Sequence, residues 1–150
     1  MAHQLVRTIS TRWDPASVFT YLLDFENAEE WDAGTVSCRR TSGDGGVGTH
    51  YRNVSEFRGK ETELDYVVES VEAGRQFVIT GSNRTVTSTD TVTVRPTEAG
   101  SEVEYRAQMT FKGVAAVVSP FLAKPLQKLA DDTEAQLART LELRARETAG

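Results

Sequence analysis

Turn signals recur through residues 35–111 at intervals that suit only an antiparallel sheet. They read Ser42-Gly43-Asp44-Gly45-Gly46, Arg58-Gly59-Lys60, Ala73-Gly74, Gly81-Ser82-Asn83 and Pro96-Thr97-Glu98-Ala99-Gly100, and they cut the stretch into six segments of strand length. A parallel crossover needs about a dozen residues or more, so consecutive segments must be antiparallel neighbours in a meander. Residues 4–12 mix polar and β-branched side chains and add a first strand. Trp13-Asp14-Pro15 then starts a helix, with Asp14 as N-cap and Pro15 at the first helical position. Val18, Phe19 and Leu22 lie on one face of it, and a second short helical piece covers residues 25–31. After Gly113 the period becomes helical. Leu122, Leu126, Leu129, Thr133, Leu137 and Leu141 form one stripe, and Pro125 marks a kink or the effective start of the helix. The expected fold class is α+β, one domain over residues 1–150. Two short helices follow the first strand, and a long C-terminal helix covers one face of a curved antiparallel sheet.

Composition removes several functions. The 150 residues suit one core, and 17 Lys and Arg against 22 Asp and Glu leave a net charge of −5. That balance, with no run of cations, argues against nucleic acid or an anionic membrane as partner. The longest apolar run, residues 114–118, is far short of the roughly 20 residues of a span, so no stable membrane insertion is expected. Residues 1–7 lack the apolar core of a signal peptide, which makes a cytoplasmic location the expectation. The sequons at Asn53 and Asn83 then carry no weight. The single cysteine, Cys38, permits no internal disulfide and has no identifiable base beside it, so it reads as a half-buried structural thiol. His3 and His50 are too few and too scattered for a metal site, and His50 falls on the charged face of its strand. Gly43, Gly45 and Gly48 spell G-x-G-x-x-G, but a dinucleotide fingerprint must open a helix and here strands flank both sides. No cofactor is expected, and those glycines read as a hairpin loop at the rim.

Strand parity finds the interior. With a two-residue turn at Arg58-Gly59 or Gly59-Lys60, Tyr51, Asn53, Ser55 and Phe57 share a side with Thr62, Leu64, Tyr66 and Val68. The opposite side carries His50, Arg52, Glu56, Glu61, Glu63 and Asp65, a solvated face. In the last strand Val103, Tyr105, Ala107, Met109 and Phe111 form the inward set. Before it, Val86, Val92 and Val94 carry Ser88 and Asp90 inward with them. Three tyrosines with Asn53, Ser55, Ser88 and Asp90 are too polar for a simple core, since each needs a partner if buried dry. Apolar walls with a few convergent polar groups describe a small-molecule cavity. The bland alternative is a filled core with tyrosine hydroxyls reaching solvent or backbone.

Several stretches, in order, carry a resemblance. They are Asp14-Pro15-Ala16-Ser17-Val18-Phe19, Asp24-Phe25-Glu26-Asn27-Ala28-Glu29-Glu30-Trp31-Asp32, Val47-Gly48-Thr49-His50-Tyr51, Asp90-Thr91-Val92-Thr93-Val94 and the long last helix. The chain resembles the polyketide cyclase/dehydrase and lipid-transport branch of the START-like (SRPBCC, Bet v 1-like) superfamily. The likeness runs over nearly the whole chain and rests on order and spacing, not on one element. It implies a helix-grip fold, with seven strands around the last helix and a hydrophobic-ligand cavity between them. It transfers no catalytic constellation, so it implies only a ligand class, polyketide-like or lipid-like.

Three functions stay open. The first is binding of a hydrophobic or aromatic small molecule, with cofactor-free cyclase/dehydrase chemistry if a proton-transfer group faces the cavity. Asp90 is the candidate catalytic group: desolvation would raise its pKa and let it exchange protons with an enolisable substrate. Tyr51, Tyr66 and Tyr105 are candidates to hydrogen-bond a developing enolate; with Asn53, Ser88, Met109 and Phe111 they are the expected ligand-binding residues. The competing reading puts Asp90 near a strand end, exposed or paired with Arg84. The second function is a non-catalytic carrier or sensor, and the third an interaction module. Residues 114–122 read as a gate over the cavity, as a docking surface for a partner or a second copy, or simply as the apolar start of the last helix, which is the default.

Overall fold

A computed structural model describes residues 2–149. The chain runs β1 (Ala2–Thr11), α1 (Pro15–Leu23), a 3-10 turn (Phe25–Asn27), α2 (Ala28–Trp31), then β2 (Thr35–Ser42), β3 (His50–Phe57), β4 (Lys60–Glu72), β5 (Gln76–Ser82), β6 (Val86–Thr97) and β7 (Gly100–Phe111). A short helix α3 (Val114–Val118), a second 3-10 turn (Ser119–Leu122) and the long helix α4 (Ala123–Ala149) complete it. The seven strands form one antiparallel sheet in the order β1-β7-β6-β5-β4-β3-β2, so the meander is complete and β1 adds to its last strand. The sheet is curved around α4, the helix-grip arrangement. Register shifts between β2 and β3 and between β4 and β5 insert bulges, which bend strands and increase their twist.

Local sequence accounts for these elements. Asp14 accepts the Ser17 N–H at 2.9 Å, and Pro15 follows as the first helical residue. Phe57 pairs with Lys60 across a two-residue turn in which Arg58 (φ 56°) and Gly59 (φ 81°) are both left-handed, the type I′ geometry that matches strand twist. Pro125 does not kink α4. It sits in the first turn, where backbone N–H groups have no intrahelical partner to lose. Residues 114–122 lead into α4 without a break, as the default reading has it, but as a short helix and a 3-10 turn instead of regular α-helix.

The core has two parts. The larger packs Val18, Phe19 and Leu22 of α1 against Phe77, Ile79 and Val92 of the sheet, with Leu137 and Leu141 of α4 closing it. The smaller gathers Leu5, Ala107, Leu126 and Ala130, with Phe57, Met109, Phe111 and Leu122 half-buried around them. The far end of α4 is tied down by Glu30, which accepts the Tyr21 hydroxyl at 2.5 Å and Arg144 at 2.6 and 2.8 Å. Among the described residues no helix is long and apolar enough to cross a membrane.

Candidate functional site

Where the smaller core meets the larger, the sheet and α4 do not close. They leave a cavity of about 170 Å³. Strand parity brings Ser88 (β6), Tyr66 and Leu64 (β4), and Tyr105, Met109 and Phe111 (β7) to its wall. From α4 come Leu126, Leu129, Ala130 and Thr133, all on the stripe side of the helix. Phe57 and Thr85 lie at the strand ends, and Leu5 and Ala107 close the floor. The lining is mostly apolar; Ser55, Thr62 and Thr85 are polar residues spread along it, and two places carry a buried carboxyl with its hydroxyl partners.

The first polar place is built on β6. Asp90 pairs across the sheet with Ile79 on one side and Ala107 on the other, both buried and apolar. Its Oδ1 accepts the Ser88 hydroxyl at 2.9 Å and its Oδ2 accepts the Tyr105 hydroxyl at 3.2 Å. Burial pushes its pKa up to about 7, and the nearby Asp32 charge adds to this; the hydrogen bonds from Ser88 and Tyr105 pull the other way. Asp90 is therefore buried at mid-strand, with no ion pair to Arg84. It is not itself a lining residue, but Ser88 and Tyr105, whose hydroxyls bond to it, both are. The phenols of Tyr66 and Tyr105 are held far above their ordinary pKa, first by burial and then by the Asp90 charge.

Tyr66 reaches this place because its cross-strand partner is Gly81. A Cβ at residue 81 would lie 2.5 Å from Tyr66 Cζ, so the ring can lie over β5 only where the side chain is missing. Gly81→Ala is expected to force the ring aside and lower stability by about 1–3 kcal/mol, read as a shift in the denaturation midpoint. An unchanged midpoint would mean that the ring is free to move.

The second polar place escaped the sequence reading. Asp32, just after α2, lines the cavity and accepts the Thr35 hydroxyl at 2.6 Å and the Thr133 hydroxyl at 3.0 Å. Burial raises its pKa against the lowering effect of those hydrogen bonds and of the Gly34 N–H. The signal was present in α4: Thr133 is a polar residue inside a leucine stripe, and a buried threonine needs a partner. Asn53 belongs to this network without touching the cavity. It donates to Thr35 Oγ1 at 3.1 Å and accepts the hydroxyl of Ser55, a wall residue, at 2.5 Å, so it stands one hydrogen bond behind the wall.

Two expected ligand contacts, Tyr51 and Asn53, thus lie off the cavity wall. Tyr51 is buried with its ring against Phe25, centroids 6.0 Å apart, under the 3-10 turn that follows α1. Tyr66, Ser88, Tyr105, Met109 and Phe111 are at the wall. Cys38 is fully buried, not half-buried, and its thiol is pushed up to about 12 by burial, which leaves it inert as a nucleophile. His50 faces outward, its Nδ1 3.0 Å from Asp65. The glycine-rich loop lies between β2 and β3, where the Gly48 N–H donates to Val68, at the opposite end of β3 from Phe57 and the cavity.

A family model described as polyketide cyclase / dehydrase and lipid transport matches residues 2–142. No curated protein matches the chain by sequence. Among solved structures, the Zhui aromatase/cyclase from Streptomyces sp. R1128 superposes with a TM-score of 0.79 at 8% identity, covering 100% of this chain and 97% of that one. A START superfamily protein from Mycobacterium smegmatis gives 0.74 at 17% identity, covering 97% and 99%. The di-domain ARO/CYC StfQ from the steffimycin biosynthetic pathway gives 0.73 at 14% identity, over 100% of this chain and 52% of that one. Likenesses at such identities carry the fold and nothing finer.

Proposed function

For a chain that belongs to the polyketide cyclase/dehydrase and lipid-transport family, we propose that the cavity binds a small hydrophobic or aromatic molecule bearing a carbonyl or enol oxygen. One observation carries this reading: two hydroxyl-bearing residues, Ser88 and Tyr105, line a mostly apolar wall, and both bond to a buried carboxyl whose pKa is pushed up to about 7. Cavity size supports it. An apolar cavity of about 150 Å³ holds one benzene ring, so about 170 Å³ takes one ring or a short acyl segment. A longer ligand would extend toward the strand ends at Phe57, Thr85 and Phe111.

Asp90 sets the polarity of this wall. When it is ionised, both hydroxyls donate to it and offer the cavity only lone pairs. When it is protonated, it donates to one of them, which then turns its own hydrogen toward a ligand carbonyl. Near neutral pH both states are populated. Proton abstraction follows the same path. A carbon next to a carbonyl loses its proton to the Tyr105 or Ser88 oxygen while that hydroxyl passes its hydrogen to Asp90, and the electron pair moves to the carbonyl oxygen. Tyr66, on the same wall, is the donor this reading assigns to that oxygen. The transfer must be concerted, because a phenol whose pKa is held so high does not ionise first. The resulting enolate can attack a second carbonyl of the same chain, which is the bond-forming step of a cyclisation.

A second reading is favoured because Asp90 is not itself a lining residue: the protein binds such a molecule and does no chemistry. Native mass spectrometry of the purified protein is the first test, with a co-purified species below a few hundred daltons expected. Asp90→Asn then separates the readings. It is expected to abolish turnover of an identified substrate, by more than about 100-fold, while binding changes little. Unchanged turnover would remove Asp90 from the chemistry and leave binding alone.

A further inference from the structure

The geometry points to a docking surface for an anionic lipid bilayer at the cavity end of the molecule, formed by α3 and the cations around it. It does not depend on what the cavity holds. α3 buries none of its residues: Val114 is 86% exposed, Val117 74% and, in the turn that follows, Phe121 78%. The segment is anchored behind this face by Ser119, whose hydroxyl is 2.7 Å from His3 Nε2, and by half-buried Leu122. An apolar surface held outward in this way needs something to cover it.

Charge selects the occupant. Among the described residues seven Lys and Arg side chains make no ion pair, and five of them (Arg58, Lys60, Arg84, Lys112 and Lys124) lie at this end. They come from the β3–β4 turn, the β5–β6 turn, the end of β7 and the start of α4, whose neighbours Phe57, Thr85, Phe111 and Leu126 line the cavity. Lys112 is held there by donating to the Asn83 carbonyl at 2.7 Å. The acids nearby are Glu56 and Glu61, paired across the outward face of the β3–β4 hairpin. The net charge of −5 thus hides a cationic end on an otherwise acidic molecule. A second copy of the chain is a poor occupant, since a two-fold interface would bring this cationic end against its own copy. Exposed valines and a phenylalanine ringed by unpaired cations suit an anionic bilayer, where apolar side chains enter the headgroup boundary and lysines stay among the phosphates.

The test is sedimentation of the full chain with vesicles of phosphatidylcholine alone and of phosphatidylcholine with phosphatidylserine at roughly 7:3. Binding to the anionic vesicles is expected to be at least about tenfold tighter and to fall with added salt. Phe121→Asp with Val117→Asp should weaken it by more than about tenfold, and Lys112→Glu with Lys124→Glu by about twentyfold or more. These positions are exposed, so the variants are expected to fold, and thermal melts would confirm it. Asp90→Asn should bind vesicles like the parent, which keeps this result separate from that of the cavity. No binding to anionic vesicles, or binding that both double variants retain, would overturn the proposal. So would a concentration-dependent dimer that Phe121→Asp disperses while vesicles bind nothing.

Discussion

Asp90→Asn is expected to make the protein more stable at pH 8 than the parent, by up to about 4 kcal/mol. The sign follows from the direction of the shift. Asp90 has a pKa of about 7 in the folded chain against 3.8 as a free side chain. Between those values the native state holds a proton that the unfolded chain has released, so stability falls as pH rises from about 4 to about 7 and is level above that. Asp32, raised in the same direction by its burial, adds to the slope. Glu30 opposes it, since Tyr21 and Arg144 lower its pKa, but it is largely exposed and counts for little. Asparagine keeps the shape, can accept from Tyr105 or Ser88 and carries no charge to desolvate. Urea denaturation at several pH values would read the effect as a flattened dependence between pH 4 and 7 in the variant. Parallel curves for parent and variant would mean that Asp90 does not titrate near neutrality.

The second large effect concerns the cavity itself. Ala130→Phe, on the α4 wall, would place a ring in a space that holds about one ring. Ligand affinity is expected to fall by about 100-fold or more while the fold survives. Unfilled volume costs about 24 cal/mol per Å³, so filling about 170 Å³ recovers up to about 4 kcal/mol, offset by about 1–3 kcal/mol of overpacking. Stability should therefore hold or rise by about 1–2 kcal/mol. A variant that binds as tightly as the parent would place the ligand elsewhere.

The fold was legible because its determinants are local: short turns forced the meander, a two-residue turn fixed the β3–β4 register, and Thr133 and the leucines marked the inner side of α4. Parity also named the wall residues Tyr66, Ser88 and Tyr105. It could not separate them from Tyr51, which has the same parity but lies under the 3-10 turn after α1. Parity reports a face and says nothing about which overlying element covers each position. Asp90 was found to point inward by the same rule, but parity does not tell an inward side chain that reaches the cavity from one that stops short of it. Asp32 lies in a connection with no period to read, and only its partner Thr133 advertised it. The 3-10 turn through which α3 enters α4 was hidden by continuity of composition, since the apolar run leads into the amphipathic helix without a marked break.

The most direct test is amide NMR of the parent titrated with a small aromatic ketone such as acetophenone. If the cavity binds such a molecule, saturable shifts will centre on Ser88, Tyr105, Ala107 and Ala130 and disappear in Ala130→Phe. Shifts absent from these residues, or persisting in that variant, would contradict it.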